Sequence, residues 1–393
     1  MTKIDLNKLN VTDEEAEEVE ETESEAQSFV VPPKIELKDH YLEVGQKELV
    51  AALKVLMAKK LKNSDIVSKS VLIRLKPNGT MMLYGSGGDL YVEFEIPCKF
   101  SGFPEFIITG IELFHSAVKH HYGKSLFFYE DNRFQTFFHS GRLGLSMETV
   151  DRKMFKAPSL GKPNKTSEFP AESFLDGLNF SRPFLSLIKV PEISALYCGK
   201  DGMFASTGEM IMGADIPLPE MILRIRDVPL ILIGFQGQET VGFEDYDGHI
   251  RLLGDGVSMI LPKMSNHFPK RDKSYLGTLP SSYMVDGREF LNILDVIKIV
   301  PHNSEQVFFE FKPDELKGLF VTTLGESNDF VLSNTVEGGG ADAKTSGFDL
   351  SNLISAIKVF RGAGPLNISY DKSSLRMNTK DRHLSFILKR GKR

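Results

Sequence analysis

The chain has 393 residues, 41% of them hydrophobic, enough for two to four domains with real cores. It carries 53 acidic against 47 basic side chains, a net charge of −6, and its two cysteines, Cys98 and Cys198, exclude a disulfide framework. No segment resembles a signal peptide and no apolar run approaches the about 18–20 residues of a membrane span, so the composition predicts a soluble, intracellular protein of a reducing compartment, with no membrane partner.

The charge is unevenly spread. Residues 1–31 hold ten carboxylates against Lys3 and Lys8, a net of −8, which leaves +2 on residues 32–393. Between Val11 and Phe29 there are almost no large apolar side chains, so 1–31 is expected to be a disordered acidic tail. It reads either as a solubilising arm or as a phosphate mimic that competes for a basic surface or engages a partner.

The first domain is expected over 32–160. Lys34–Val44 is a strand region. Lys47–Lys62 is a helix with Leu49, Leu53, Leu56 and Met57 inward, and its five lysines against Glu48 give it a net +4. Val71–Leu75 and Met81–Tyr84 are strands, and Gly85-Ser86-Gly87-Gly88 reads as a turn. Ile111–Tyr122 is a second helix, with Leu113, Ala117 and Val118 inward and Gly123 as its stop. Strands Ser125–Tyr129, Phe134–His139 and Leu143–Met147 follow it.

Gly161–Lys165 is a linker by composition, and the second domain is expected over 166–270. Helix Ala171–Ile188 precedes strands Ile193–Tyr197 and Met203–Ser206. Asp227–Phe235 makes a poor helix because it contains Pro229 and Gly234. The strands after it are clear: Thr240–Glu244, His249–Leu253 and Val257–Leu261, joined at Asp247-Gly248 and Asp255-Gly256.

Lys270–Leu279 is a second linker, and the third domain is expected over 280–393. Helix Asp286–Ile299 leads to strands Val307–Phe311 and Gly318–Thr323, then a glycine-rich loop, Gly338–Ser346. Asp349 is an N-cap candidate for a helix whose stripe is Leu350, Leu353, Ile354, Ile357 and Phe360, stopped by Gly362, Gly364 and Pro365. Strands Leu366–Tyr370, Ser374–Thr379 and His383–Leu388 complete it. The chain thus contains six helix-plus-meander units in three pairs, an α+β architecture.

Motifs that carry catalysis or ligands are missing at the spacings they need. Gly123-Lys124-Ser125 imitates the end of a phosphate loop, but Val118 stands where its first glycine belongs. Asp245-Tyr246-Asp247-Gly248 suggests a calcium loop, yet Phe243 and Gly254 occupy its first and twelfth positions. His115, His120 and His121 lack the i, i+4 spacing and cysteine partners of a zinc site. The reading is a binding protein with no catalytic residues, no metal and no cofactor.

Three tandem doubled domains with basic helices and no active site resemble the bacterial-type DNA polymerase sliding clamp, the β-subunit processivity factor. The likeness runs over nearly all of the chain after residue 32. Local likenesses are Ser140-Gly141-Arg142 leading into the alternating Leu143–Met147, Phe155 at the first domain's exit, His267-Phe268-Pro269 closing the second, and the final strand Leu384–Leu388. The acidic tail is a departure, as is Thr207-Gly208-Glu209-Met210 where many bacterial clamps have an Asp-Gly-His-Arg-like turn; such divergence suits a viral member.

The resemblance implies three DNA-clamp domains per chain and a head-to-tail homodimeric ring, helices inside and sheets outside. The ring would encircle double-stranded DNA without reading its sequence, serving a DNA polymerase and a clamp loader in the cytoplasm, or the host cytoplasm for a viral protein. DNA-facing cations are expected at Lys54, Lys59, Lys60, Lys62, Lys119, Lys124, Arg182, Lys189, Lys358 and Arg361. The family's partner-peptide pocket maps to a turn at Met210, Ile211 and Met212, to Pro269 and Lys273, and to Phe386, Ile387 and Leu388. The competing reading is a non-enzymatic structural or virion protein of repeated β-rich domains, which gives no reason for lysines along a helix face.

Overall fold

Apolar alternation sets the first described strand, and the helix stripe follows it without a break. In the computed structural model the described residues are 41–58, 67–87, 89–102, 105–120, 125–130, 136–140, 143–147, 155, 158–185, 195–206, 210–264, 282–299, 306–312, 315–321, 327–333, 336–337, 344–360, 365–370, 374–379 and 382–387. All of them lie in one unit spanning Lys38–Arg393.

The chain traces one scheme three times. Strand β1 (Tyr41–Gly45) buries Leu42 and Val44 and runs straight into α1 (Gln46–Ala58). Then come β2 (Val71–Lys76), β3 (Thr80–Gly87), β4 (Leu90–Ser101) and β5 (Phe106–Ile108). Helix α2 (Ile111–Lys119) leads to β6 (Ser125–Glu130), β7 (Thr136–Ser140) and β8 (Leu143–Met147). The second repeat is β9 (Lys165–Pro170), α3 (Ala171–Leu185), β10 (Ala195–Gly199), β11 (Gly202–Ser206), β12 (Met210–Ala214) and β13 (Met221–Arg224), then α4 (Val228–Gly234), β14 (Thr240–Tyr246), β15 (His249–Gly254) and β16 (Val257–Pro262). The third is β17 (Ser282–Asp286), α5 (Gly287–Ile299), β18 (Gln306–Phe311), β19 (Leu316–Val321), β20 (Ser327–Ser333), the short β21 (Val336–Glu337) and β22 (Lys344–Asp349), then α6 (Leu350–Val359), β23 (Pro365–Tyr370), β24 (Ser374–Asn378) and β25 (Arg382–Ile387).

Strand pairing repeats as faithfully as the order. Each lead strand pairs antiparallel with the first strand of the second meander: β1–β6, β9–β14, β17–β23. Each first meander pairs in sequence and sends a fourth strand back to its first: β5–β2, β13–β10, β22–β18. Two pairings then cross between repeats. Tyr91–Phe94 of β4 pairs with Val257–Ile260 of β16, and Met210–Ala214 of β12 pairs with Arg382–Phe386 of β25. The result is sheets of twelve, nine and four strands.

The helices pack in a row, α2–α1–α4–α3–α6–α5, against these sheets, which makes two layers around a shared core. Phe174 and Phe184 of α3, Phe290 of α5, and Phe309 and Phe311 of β18 are all buried to the last few per cent of their surface. Each such ring contributes about 1.5–3 kcal/mol on burial.

All six expected helices form, and several details differ from expectation. In α2 the buried stripe is Ile111, Phe114 and Val118, while Leu113 is 73% exposed. Gly85–Gly87 continue β3, paired with Leu90–Val92, so the turn comes later than expected. Lys165 opens β9, so the expected linker ends one residue sooner. Asp349, by contrast, stands where the N-cap is expected: it closes β22 opposite Gln306, and α6 begins at the next residue. The weak α4 does form, with Pro229 in its first turn, where a missing N–H costs little. A Cβ on Gly234 at its end would collide with Met259 Cε and meet Val55 Cγ1 at 3.5 Å, so glycine permits the approach of α1.

Candidate nucleic-acid interface and partner pocket

The faces of the helices turned away from the core carry the expected cations. Lys54 on α1, Lys119 on α2, Arg182 on α3 and Lys358 on α6 are all exposed. Lys59, Lys60, Lys62, Lys124, Lys189 and Arg361 lie outside the described residues. The expected DNA-facing set leaves out Lys47 on α1 and Arg288 and Lys298 on α5, which are exposed too and sit off the apolar stripe in the same way. The six described helices together hold seven cations and six carboxylates, a net of only +1. The signs are sorted along each axis. Glu48, Glu112, Glu172 and Glu289 stand in first turns, and Lys119, Arg182, Lys298 and Lys358 in last turns, as the helix dipole favours. Part of this basic character is therefore helix chemistry.

At one place two lysines act on a histidine. The Gln46 side-chain amide at the start of α1 donates to Val118 O at the end of α2, 2.8 Å away. This contact brings the start of α1 to the end of α2. His115, half-buried on α2, has its pKa held below the ordinary imidazole value by burial first, then by Lys119 and by Lys54 across from it.

Two seams join the repeats. At the first, Arg224 at the end of β13 grips the buried Asp227 with Nε donating to Oδ2 at 2.6 Å and Nη2 to Oδ1 at 3.2 Å. Its Nη1 also donates to Asp89, between β3 and β4, and Arg226 Nη2 reaches the same carboxylate at 3.0 Å. Burial pushes the Asp227 carboxyl up, and the Arg224 contacts oppose this. Nearby, Arg251 Nη2 on β15 donates to Glu93 Oε2 on β4 at 3.1 Å, and its Nε to Ser258 Oγ on β16 at 2.7 Å. At the second seam, α3 meets α6 through Phe180 and Phe360, edge to face with centroids 5.6 Å apart.

Part of the residue set expected for a partner pocket falls beside the second seam. Met210–Met212 form part of strand β12, which corrects the expected turn. Its register sets Met210 opposite Phe386, Ile211 opposite Ser385 and Met212 opposite Leu384, so two of the three expected walls are neighbouring strands. Met212 is fully buried and belongs to the core, whereas Ile211 is half-buried. Ile387 ends β25; Pro269, Lys273 and Leu388 lie outside the described residues. Cys198 is buried, and burial raises the Cys98 thiol to about 11. Among the described residues no helix is long and apolar enough to cross a membrane.

No protein-family model and no curated protein sequence matches this chain. Solved structures do, over nearly their whole length. The chain has the fold of the sliding clamps. It superposes on the DNA polymerase III β chain of Streptococcus pneumoniae TIGR4 with a TM-score of 0.76 and 13% identity, covering 88% of this chain and 99% of that one. For the DNA polymerase sliding clamp of Bacillus subtilis the values are 0.75, 14%, 90% and 100%. For the DNA polymerase III β subunit of Thermotoga maritima they are 0.73, 14%, 88% and 98%.

Proposed function

We propose that this chain is a DNA polymerase processivity factor: a non-catalytic clamp of two copies, three domains each (32–160, 166–270 and 280–393), that encircles duplex DNA. The observation that carries the reading is an unfinished seam at each end of the helix row. Position by position, Leu49 and Leu53 of α1 match Phe174 and Leu178 of α3 and Phe290 and Leu294 of α5, all buried. That alignment places Val55, Phe180 and Val296 at one position. Val55 is covered by α4 at Gly234, and Phe180 by Phe360 next to α6. Val296 is 61% exposed.

The partner helices give the complementary result. Ile111, Phe114 and Val118 of α2 match Val228, Ile231 and Phe235 at α4. Leu113 then matches Leu230, which is 2% exposed against 73% for Leu113. So among the described residues α5 lacks the cover that α1 and α3 have, and α2 lacks the cover that α4 has. The strands agree: β4 takes β16 and β12 takes β25, leaving β20 and β8 as the equivalent edges. Pairing α5 and β20 of one copy with α2 and β8 of another finishes both layers and covers two sheet edges.

A ring of this kind holds DNA by topology. Its lysines and arginines meet phosphates and leave base edges unread, so it slides. The pocket beside β12 and β25 is the docking place for peptides from the polymerase and the loader. The test is light scattering with size-exclusion chromatography, then retention on circular against linearised DNA after loading. The expected result is a dimer kept on circles and lost from linear DNA. A monomer at micromolar concentration, or equal retention on both, overturns the reading. Val296→Glu with Leu113→Glu is expected to give folded monomers.

A further inference from the structure

We infer that Lys54, His115 and Lys119 form one site for the DNA backbone phosphate, and that this site takes up a proton when duplex binds. The inference rests on the clamp reading above and adds regulation of its DNA-facing surface.

The repeat shows that the site is an addition to the fold. Under the alignment of buried positions, His115 of α2 corresponds to Leu232 of α4 and Ile354 of α6. An apolar side chain satisfies the packing there, so the imidazole is not demanded by the core. Lys54 corresponds to Asn179 of α3 and Asp295 of α5. The three basic groups therefore coincide in the first repeat, and in neither of the other two do His and Lys stand at both positions.

The geometry brings them together. With the start of α1 held against the end of α2 by the Gln46 amide, the two helices lie alongside each other. Lys54, two turns along α1, is near enough to His115 to act on its charge, as is Lys119, one turn beyond it on α2. Both ammonium groups are exposed and the imidazole is half-buried. Glu112, one turn back on α2, is the carboxylate nearest in sequence and is also exposed. Burial first, and then the two lysines, disfavour a third cation there, which lowers the proton affinity of His115 in the free protein. A phosphate oxygen reverses the balance: it attracts both lysines and stabilises the imidazolium that donates to it.

The sign follows. The free protein's imidazole lies below its ordinary value and the DNA-bound one above it. A proton is taken up on binding at pH values between the two. Affinity rises as pH falls through the bound-state value and levels off below the free-state value.

The experiment titrates the full chain into a short fluorescein-labelled duplex at low salt, following anisotropy from about pH 8 down to about pH 5.5. Wild type is expected to bind roughly tenfold tighter at the acid end, as when duplex raises the proton affinity of one imidazole by the same factor. His115→Gln keeps the alkaline affinity and loses most of the gain on acidification. His115→Lys binds tightly at both ends. Because the site is on the surface, thermal unfolding of both variants should match wild type. Lys54→Ala and Lys119→Ala should each lower the salt slope by about one. A His115→Gln protein with the wild-type pH dependence overturns the inference and leaves the clamp intact, as does wild-type binding that is flat with pH. Failure of wild type to bind the short duplex at any pH also overturns the inference, whereas the clamp reading stands or falls on retention on circles against linear DNA.

Discussion

The two internal seams do one job with different chemistry. The first, between α1 and α4 and between β4 and β16, is tied by charge: Asp89 to Arg224 and Arg226, Arg224 to the buried Asp227, and Glu93 to Arg251. The second is described by apolar contacts, Phe180 on Phe360 and the fully buried Met212. An ionic seam is sensitive to salt and to loss of one partner, and an apolar one to loss of volume. The end faces on α2 and α5 resemble the second seam, with Leu113, Val296 and Ile299 exposed.

Several substitutions break or sharpen this contrast. The largest loss is expected for Phe180→Ala, about 3–5 kcal/mol of unfolding free energy in urea, because a buried ring leaves a cavity at the second seam. Arg224→Ala comes next at about 3 kcal/mol, since it strands the Asp227 carboxylate in the interior. Asp89→Asn should cost under about 1 kcal/mol, because that carboxylate is half exposed, and the cost should shrink further in high salt. Phe180→Ala should keep its full cost at any salt concentration.

The smallest effect is one of pH. The raised Asp227 carboxyl holds its proton more tightly folded than unfolded, so its contribution to stability grows as pH falls through its folded value. Glu95, lowered by hydrogen bonds from Lys76 and Thr80, behaves oppositely; its stabilisation is lost as pH falls through its folded value. On acidification the stability gap between wild type and Asp227→Asn should therefore move in favour of wild type, and the gap to Glu95→Gln should move against it. Gaps that move together in acid denaturation curves contradict the assignment.

Local pattern makes much of this architecture legible in the sequence. The stripes of α1, α3, α5 and α6 and the meander after α4 are written in spacing alone. What stays hidden is set by distant partners. Leu113 and Phe114 both offer an inward register, and only packing against α1 selects Phe114. Met210–Met212 read as a turn because the strand that makes them a strand, β25, lies far along the chain. The twelve residues of β4 escape a sequence reading because Glu93, Glu95 and Pro97 obscure the apolar signal, and β4 owes its length to pairing with β3, β1 and β16. At the candidate site, Lys54 and Lys119 are readable as off-stripe cations. His115 suggests only a metal ligand in sequence, since nothing in its neighbourhood on α2 shows Lys54 across the helix pair.

The pairing of β12 with β25 also sets a timetable for synthesis. The register joins Met212 to Leu384, so the edge of β12 waits for a strand made about 170 residues later, roughly 10–30 s at ordinary translation rates. The corresponding edge at β4 also waits about 170 residues for β16, but that partner arrives while the third repeat is still to be made. A nascent chain halted before Arg382 therefore carries a finished first seam beside an open, apolar strand edge. Such an edge invites pairing with another chain, so ribosome-stalled or prematurely terminated products should be the aggregating species, caught by holdase chaperones until β25 emerges.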